Sequence, residues 1–346
     1  MENRIKNKNI LLFCANFYGY DLAIKQELLK LGARNVILKD NITFSDDCRD
    51  YFSIKKKIRS FFLKPKQRDE WTKRLVNEIS TFNIDVLFCV QYTPFSKWFI
   101  DYLRKIKPNI RTLLFLWDDF KTYPNFKDYF DKFDKAYSFD KSDCMHNKKL
   151  KYLPNFYLHS ENKINQRDLI YDICFIGSLN DRGIKRIDFL NKLESFCNNN
   201  NLKSFLFLRY YKGNYKQNLF RYIFENKHKK KYHKIIKSSP NYNFMKENNL
   251  SLDEVENIQN NSRCLVDINY GNRFGYTLNV ISAIAKGKKL ITTNKSIVNE
   301  IFYNPNNIDI VDIDNPDFSY KFIKSETIPV DISHLRLDNW LLEIFQ

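Results

Sequence analysis

Two short segments carry most of the side chains that could do chemistry. In the first, DICFIGSLNDRGIKR (172–186), an apolar run reaches Gly177 and Ser178 and leads into Arg182, Lys185 and Arg186. In the second, RCLVDINYGNRFGYTLNVISAIAKGKKLITTN (263–294), a run ending near Asp267 opens into a loop with Asn272, Arg273 and Gly275 and then enters a helical pattern at Tyr276, Thr277 and Leu278. The chain has only eight glycines in 346 residues, and Gly177, Gly183, Gly271, Gly275 and Gly287 all fall in these two segments. A strand that turns into a helix offers an anion the unbonded N–H groups and the positive dipole end of that helix. The chemistry indicated is phosphate or diphosphate binding. Gly177 and Ser178 shape the first turn, Ser178 donates from its hydroxyl or backbone, and Arg182 and Lys185 offset the charge, a guanidinium being able to engage phosphate through two parallel hydrogen bonds. In the second turn the N–H groups of Tyr276, Thr277 and Leu278 face the anion and the Thr277 hydroxyl is a further donor. Gly287 stands where a left-handed residue would close the helix. Any one of these turns reads equally as an ordinary basic connection; two in one half of the chain point to phosphate.

A third constellation is Trp117–Phe120, WDDF, at the end of an apolar run in the first half. Carboxylates at the C-terminal end of a parallel strand point toward the ligand crevice of α/β folds. Asp118 or Asp119 is then placed to act as general base toward an acceptor hydroxyl; the competing reading is a capping or turn aspartate. Walker A, G-x-G-x-x-G, G-x-S-x-G and H-E-x-x-H patterns are absent, and the five histidines have no paired metal-ligand spacing. No metal site is expected. Asp312-Ile-Asp314 has the D-x-D form but falls in a late loop and is read as coincidence.

The elements that must position these groups alternate. Short apolar runs at 9–14, 35–39, 86–90, 112–117 and 135–139 predict strands, with helices from Asp21 to Gly32, over 96–106 and over 125–132. Strands are predicted again at 172–176, 204–208, 264–270 and 289–293, with helices from Ile184 and over 277–286. Ser251 and Glu254 fit a capping box. Strands separated by helices imply parallel sheets. The expected fold class is α/β, two Rossmann-like lobes facing a central cleft: an acceptor-side domain over 1–157, a linker over 158–170, a nucleotide-binding domain over 171–328 carrying a basic insertion at 212–249, and a C-terminal helical stretch, 329–346, packing back on the first domain.

With 43% hydrophobic and 16% aromatic residues, the chain can form two ordinary cores. Its formal net charge of +17 favours anionic partners. The basic segment 55–74 reads either as a solvated helix face or as a membrane or acceptor contact, and the run KHKKKYHK at 227–234 either as part of an exposed insertion or as a surface for anionic lipid. A nucleic-acid role, suggested by interleaved Lys and Tyr at 209–237, is disfavoured because the basic residues are scattered and match no recognised module. Seven cysteines without a C-x-x-C pair suit a reducing compartment. No apolar run is long enough to span a bilayer. The expected location is the cytoplasm, with peripheral contact at the inner membrane face.

The order DICFIGS…R…KR, CLVDINYG, FGYTLNVISAIAKGKKLITTN and FYNPNNIDIVD, preceded by WDDF, YSFDKSD and KYLPNFY, resembles two-lobe (GT-B) glycosyltransferases of the capsular and lipopolysaccharide group related to the spore-maturation CgeB type, over most of the chain. The resemblance implies a nucleotide-diphosphate sugar held by the second lobe, a glycan or lipid-linked glycan acceptor approached from the first, and catalysis that needs no metal or other cofactor. Related sequences carry an Arg and a Glu at the positions of Asn279 and Ser282, where the Glu contacts the donor. Asn279 and Ser282 are accordingly candidate donor contacts of altered chemistry, and an inactive sugar-nucleotide-binding relative is the alternative.

Overall fold

The computed structural model describes residues 3–14, 19–39, 54–90, 95–120, 130–158, 169–179, 184–210, 242–269 and 274–346, with backbone alone over 54–65. Arg182, Asn272, Arg273, Gly183, Gly271 and most of the predicted linker and basic insertion lie outside them. The chain divides into two compact units, the first comprising 1–154 with 337–346 and the second 155–336.

Unit 1 is built on β1 (Asn9–Cys14), β2 (Asn35–Lys39), β3 (Val86–Val90), β4 (Arg111–Leu116), β5 (Lys135–Ser138) and β6 (Leu150–Tyr152), paired in parallel in the order β2-β1-β3-β4-β5-β6. β1, β3 and β4 are buried almost end to end. That explains their unbroken apolar runs, since a parallel sheet is covered on both faces. The helices are α1 (Tyr20–Lys30), α2 (Ile54–Ile79), α3 (Trp98–Ile106) and α4 (Lys141–Met145). Gly32 follows α1 with a positive φ, so the helix stops there. One core joins Leu75 and Ile79 of α2 with Phe99 and Leu103 of α3 against Leu11, Phe13 and Leu114 of the sheet. The terminal helix, Leu337–Phe345, also belongs to this unit. Its fully buried Trp340 meets Phe115 edge to face at 4.5 Å, and the indole N–H donates to the Pro154 carbonyl at 3.0 Å.

Unit 2 repeats the plan with β7 (Tyr171–Ser178), β8 (Ser204–Arg209), β9 (Met245–Lys246), β10 (Ser262–Asp267), β11 (Lys289–Thr292) and β12 (Ile308–Ile310), all parallel in the order β12-β11-β10-β7-β8-β9. Its helices include α5 (Lys185–Asn199), α6 (Leu252–Asn260), α7 (Leu278–Ala285) and α8 (Tyr320–Lys324). Ser251 accepts from the Glu254 N–H while Glu254 accepts from the Ser251 N–H, which is the expected capping box. After α7, Gly287 donates to Ile284 and Lys288 to Ala283, a Schellman closure that needs the positive φ of 62° at Gly287.

The order of the strands decides where a ligand can sit. From β7 the chain steps outward to β8 and β9, then returns to β10 on the other side of β7 and steps outward the opposite way. The reversal lies between β7 and β10, and open α/β sheets bind ligands at the carboxyl ends of the strands flanking such a reversal. The two glycine-bearing turns leave those two ends.

Candidate functional site

Gly177 and Ser178 are the last two residues of β7, paired with Leu208 and Arg209, and not part of the turn itself. This corrects the expected strand end at Ile176. A Cβ at Gly177 would lie 2.7 Å from the Phe175 ring, so the glycine leaves room for that buried side chain. Beyond the turn, α5 begins at Lys185 after Ile184, which offers no side-chain cap. The first N–H groups of this helix therefore depend on partners other than a capping side chain. Lys185 forms an ion pair with Asp314 at 2.6 Å in which both side chains are more than half exposed. Asp312 closes the turn after β12 by accepting from the N–H groups of Asn315 and Asp314, which hold its carboxyl below the usual aspartate range.

The second turn is anchored along its descending arm. Gly275 and Tyr276 are buried; the Gly275 carbonyl accepts from Asn294 at 3.3 Å and the Tyr276 carbonyl from Asn155 at 2.9 Å. The Tyr276 ring packs edge to face on Phe302, and its hydroxyl donates to Glu300 at 3.0 Å. The side chain is thus a core anchor. Thr277 caps α7 by accepting from the Val280 N–H at 3.4 Å. Its hydroxyl hydrogen goes to Asp267 at 2.7 Å. The expectation that this hydroxyl donates to an anion is therefore corrected, because its one proton is already engaged. Leu278 opens the helix, whose first turn contains no acidic residue.

Two polar networks lie beneath these turns. Asp267, the last residue of β10, is 3% exposed and accepts from Thr277 at 2.7 Å and from Thr292 at 3.1 Å. Burial pushes its carboxyl above the ordinary aspartate value, against the lowering effect of Thr277, the Arg186 charge and Thr292. Asn279 donates to the Ile176 carbonyl at 2.9 Å and accepts from the buried Gln259 at 3.0 Å, and Ser282 donates to the other end of Gln259 at 2.8 Å. One amide N–H and the amide oxygen of Asn279, and the hydroxyl proton of Ser282, are thus engaged within unit 2, joining α6 and α7 to β7. Arg186 joins the two strand ends directly through Ser178 and Ile268.

In unit 1 the corresponding reversal lies between β1 and β3. Asp118 and Asp119 follow β4, one strand further along, Asp118 half-buried and Asp119 buried. The neighbouring Phe120 N–H donates to Asp143 at 2.9 Å. Asp21, read from the sequence as a helix start at this edge of the sheet but given no role in the site, lies in the first turn of α1 and is 1% exposed; burial, and then the Asp21 charge, hold the Cys14 thiol in its neutral form. Among the described residues no group of three or more His, Cys, Asp or Glu side chains is arranged to hold a metal ion.

No protein-family model matches the chain, and no curated protein matches it. Solved structures do. The apo structure of OtsA aligns with 88% of this chain and 88% of its own at a TM-score of 0.54 and 10% identity. The N-terminal domain of trehalose-6-phosphate phosphatase from Candida albicans aligns with 98% of this chain and 93% of its own at 0.52 and 9% identity. An alpha-glucosyltransferase in complex with UDP and a mismatched 13-mer DNA aligns at 0.47 and 15% identity, over 87% of this chain and 81% of its own. The likeness to the first two shows the fold. The chain has the α/β architecture of two Rossmann-like units that GT-B glycosyltransferases share.

Proposed function

We propose that this protein transfers a sugar from a nucleotide-diphosphate sugar onto a capsule or lipopolysaccharide glycan acceptor, without a metal ion. The observation that carries the reading is the position of α5 and α7: both begin at the carboxyl ends of β7 and β10, either side of the strand reversal in unit 2. A diphosphate placed there meets two helix N-termini. Gly177, Ser178, Gly275, Tyr276, Thr277 and Leu278 supply the backbone frame, and Arg182, Lys185, Asn272 and Arg273 the polar and cationic groups. As the acceptor oxygen bonds to the anomeric carbon, the bond from that carbon to the diphosphate breaks and its electron pair leaves with the phosphate oxygen. The basic side chains and helix ends stabilise that charge. The hydroxyl proton passes to a carboxylate, for which Asp118 and Asp119 are the candidates, Asp118 being the more exposed of the pair. The acceptor class rests on the resemblance in sequence order. Calorimetric titration with UDP, GDP and CMP in EDTA tests the reading: binding of one nucleotide, weakened in Arg182→Ala, supports it, whereas binding of none removes it.

The engagement of Asn279 and Ser282 by Gln259 favours a second reading, a sugar-nucleotide-binding relative that does not turn over. Transfer or donor hydrolysis by a preparation that binds nucleotide separates the two.

A further inference from the structure

Arg186 sits in the first turn of α5, yet its side chain runs back to the sheet. Nη1–H donates to the Ser178 carbonyl at 2.7 Å, and Nε–H and Nη2–H donate to the Ile268 carbonyl at 3.0 and 2.7 Å. These carbonyls are the last of β7 and the first beyond β10, the two strands that flank the reversal. Neither strand pairs with the other near this end: the β7–β10 register covers Ser262–Tyr171, Cys264–Ile173 and Leu265–Cys174, well short of Ser178 and Ile268. One planar guanidinium thus spans a gap that the sheet's own ladder leaves open. It also places a fixed positive charge against two carbonyl oxygens that would otherwise present negative dipole ends to an incoming phosphate. Asp267, buried beside Ile268, lies within the influence of the same charge.

We infer that Arg186 is a positioning residue for diphosphate binding, holding the ends of β7 and β10 at the separation that lets the N-termini of α5 and α7 grip one ligand together. The inference rests on the nucleotide-binding reading of this site and goes beyond it, because Arg186 acts through the strand ends rather than by touching the ligand. Lysine retains the charge but lacks the fork that reaches both carbonyls in one plane.

Arg186→Lys and Arg186→Met are each compared with the unaltered protein by titration with inorganic pyrophosphate, UDP and uridine, alongside thermal melting. The expected result is a loss of at least about tenfold in affinity for pyrophosphate and UDP in both variants, about 1.4 kcal/mol, with uridine binding within twofold of the unaltered protein. Affinities that fall together for all three ligands, in step with a loss of folded protein, would show a merely structural residue and overturn the inference. Unchanged affinities in a folded Arg186→Lys variant would overturn it as well, leaving the nucleotide reading standing. If the unaltered protein binds neither pyrophosphate nor UDP, the nucleotide reading fails and this inference fails with it.

Discussion

Gly177 shows how one side chain, or its absence, is decided by packing as much as by ligand. The Phe175 ring, buried in the unit 2 core, lies where a Cβ would be. Gly177→Ala should therefore cost about 1–3 kcal/mol, the usual penalty for overpacking, and Phe175→Leu should recover part of it; denaturant midpoints of the two single variants and the double variant measure both. Asp267 gives a pH signature with a definite sign. Its carboxyl is raised in the folded protein, so the native state binds a proton more tightly than the unfolded chain does, and stability is lost as pH climbs from the ordinary aspartate value through the raised one. Asp267→Asn should remove that component, giving a flatter dependence of denaturant midpoint on pH in this window than the unaltered protein shows. Asp314 competes for Lys185 in an exposed pair. Asp314→Asn should tighten UDP binding by about two- to fivefold, the scale of one exposed ion pair, and the gain should shrink at high salt.

The elements were legible wherever a local signal is strong. Ser251 and Glu254 form the capping box their spacing predicts, and Ser251→Ala should lower the melting free energy by about 1 kcal/mol, as loss of such a cap does; thermal denaturation checks it. The runs ILLFC and VLFCV read as strands because both faces are covered. β6 and β9 were not anticipated because two or three residues are too few to show a period; their pairing comes from neighbours already in the sheet. The same limit hid the site's framework. Thr277 was legible as a helix-start hydroxyl, but its partner Asp267 is ten residues back, and the bond from Arg186 to Ile268 crosses 82 positions. Nothing local to Asn279 announces Gln259, its partner on another helix. Sequence spacing found the two turns and could not find what ties them together.

For the whole molecule, the formal charge of +17 and the absence, among the described residues, of any helix long and apolar enough to cross a membrane bear on the proposed lipid-linked acceptor. Vesicles containing anionic phospholipid should sediment the protein at low ionic strength and release it near 1 M salt, where the screening length is about 3 Å, while zwitterionic vesicles should not sediment it. Retention at high salt would point to apolar insertion instead. The two sheets share one strand logic, with reversals between β1 and β3 and between β7 and β10, yet among the described residues only the second reversal has a flanking helix, α7, without an acidic first-turn residue and a guanidinium bridge between the strand ends. That asymmetry is the ground on which the phosphate is proposed to bind unit 2. Diffraction from crystals soaked with UDP and GDP tests this most directly. The account predicts a diphosphate between the first turns of α5 and α7, above the Arg186 bridge; a nucleotide bound elsewhere on the chain, or none at millimolar concentration, would contradict it.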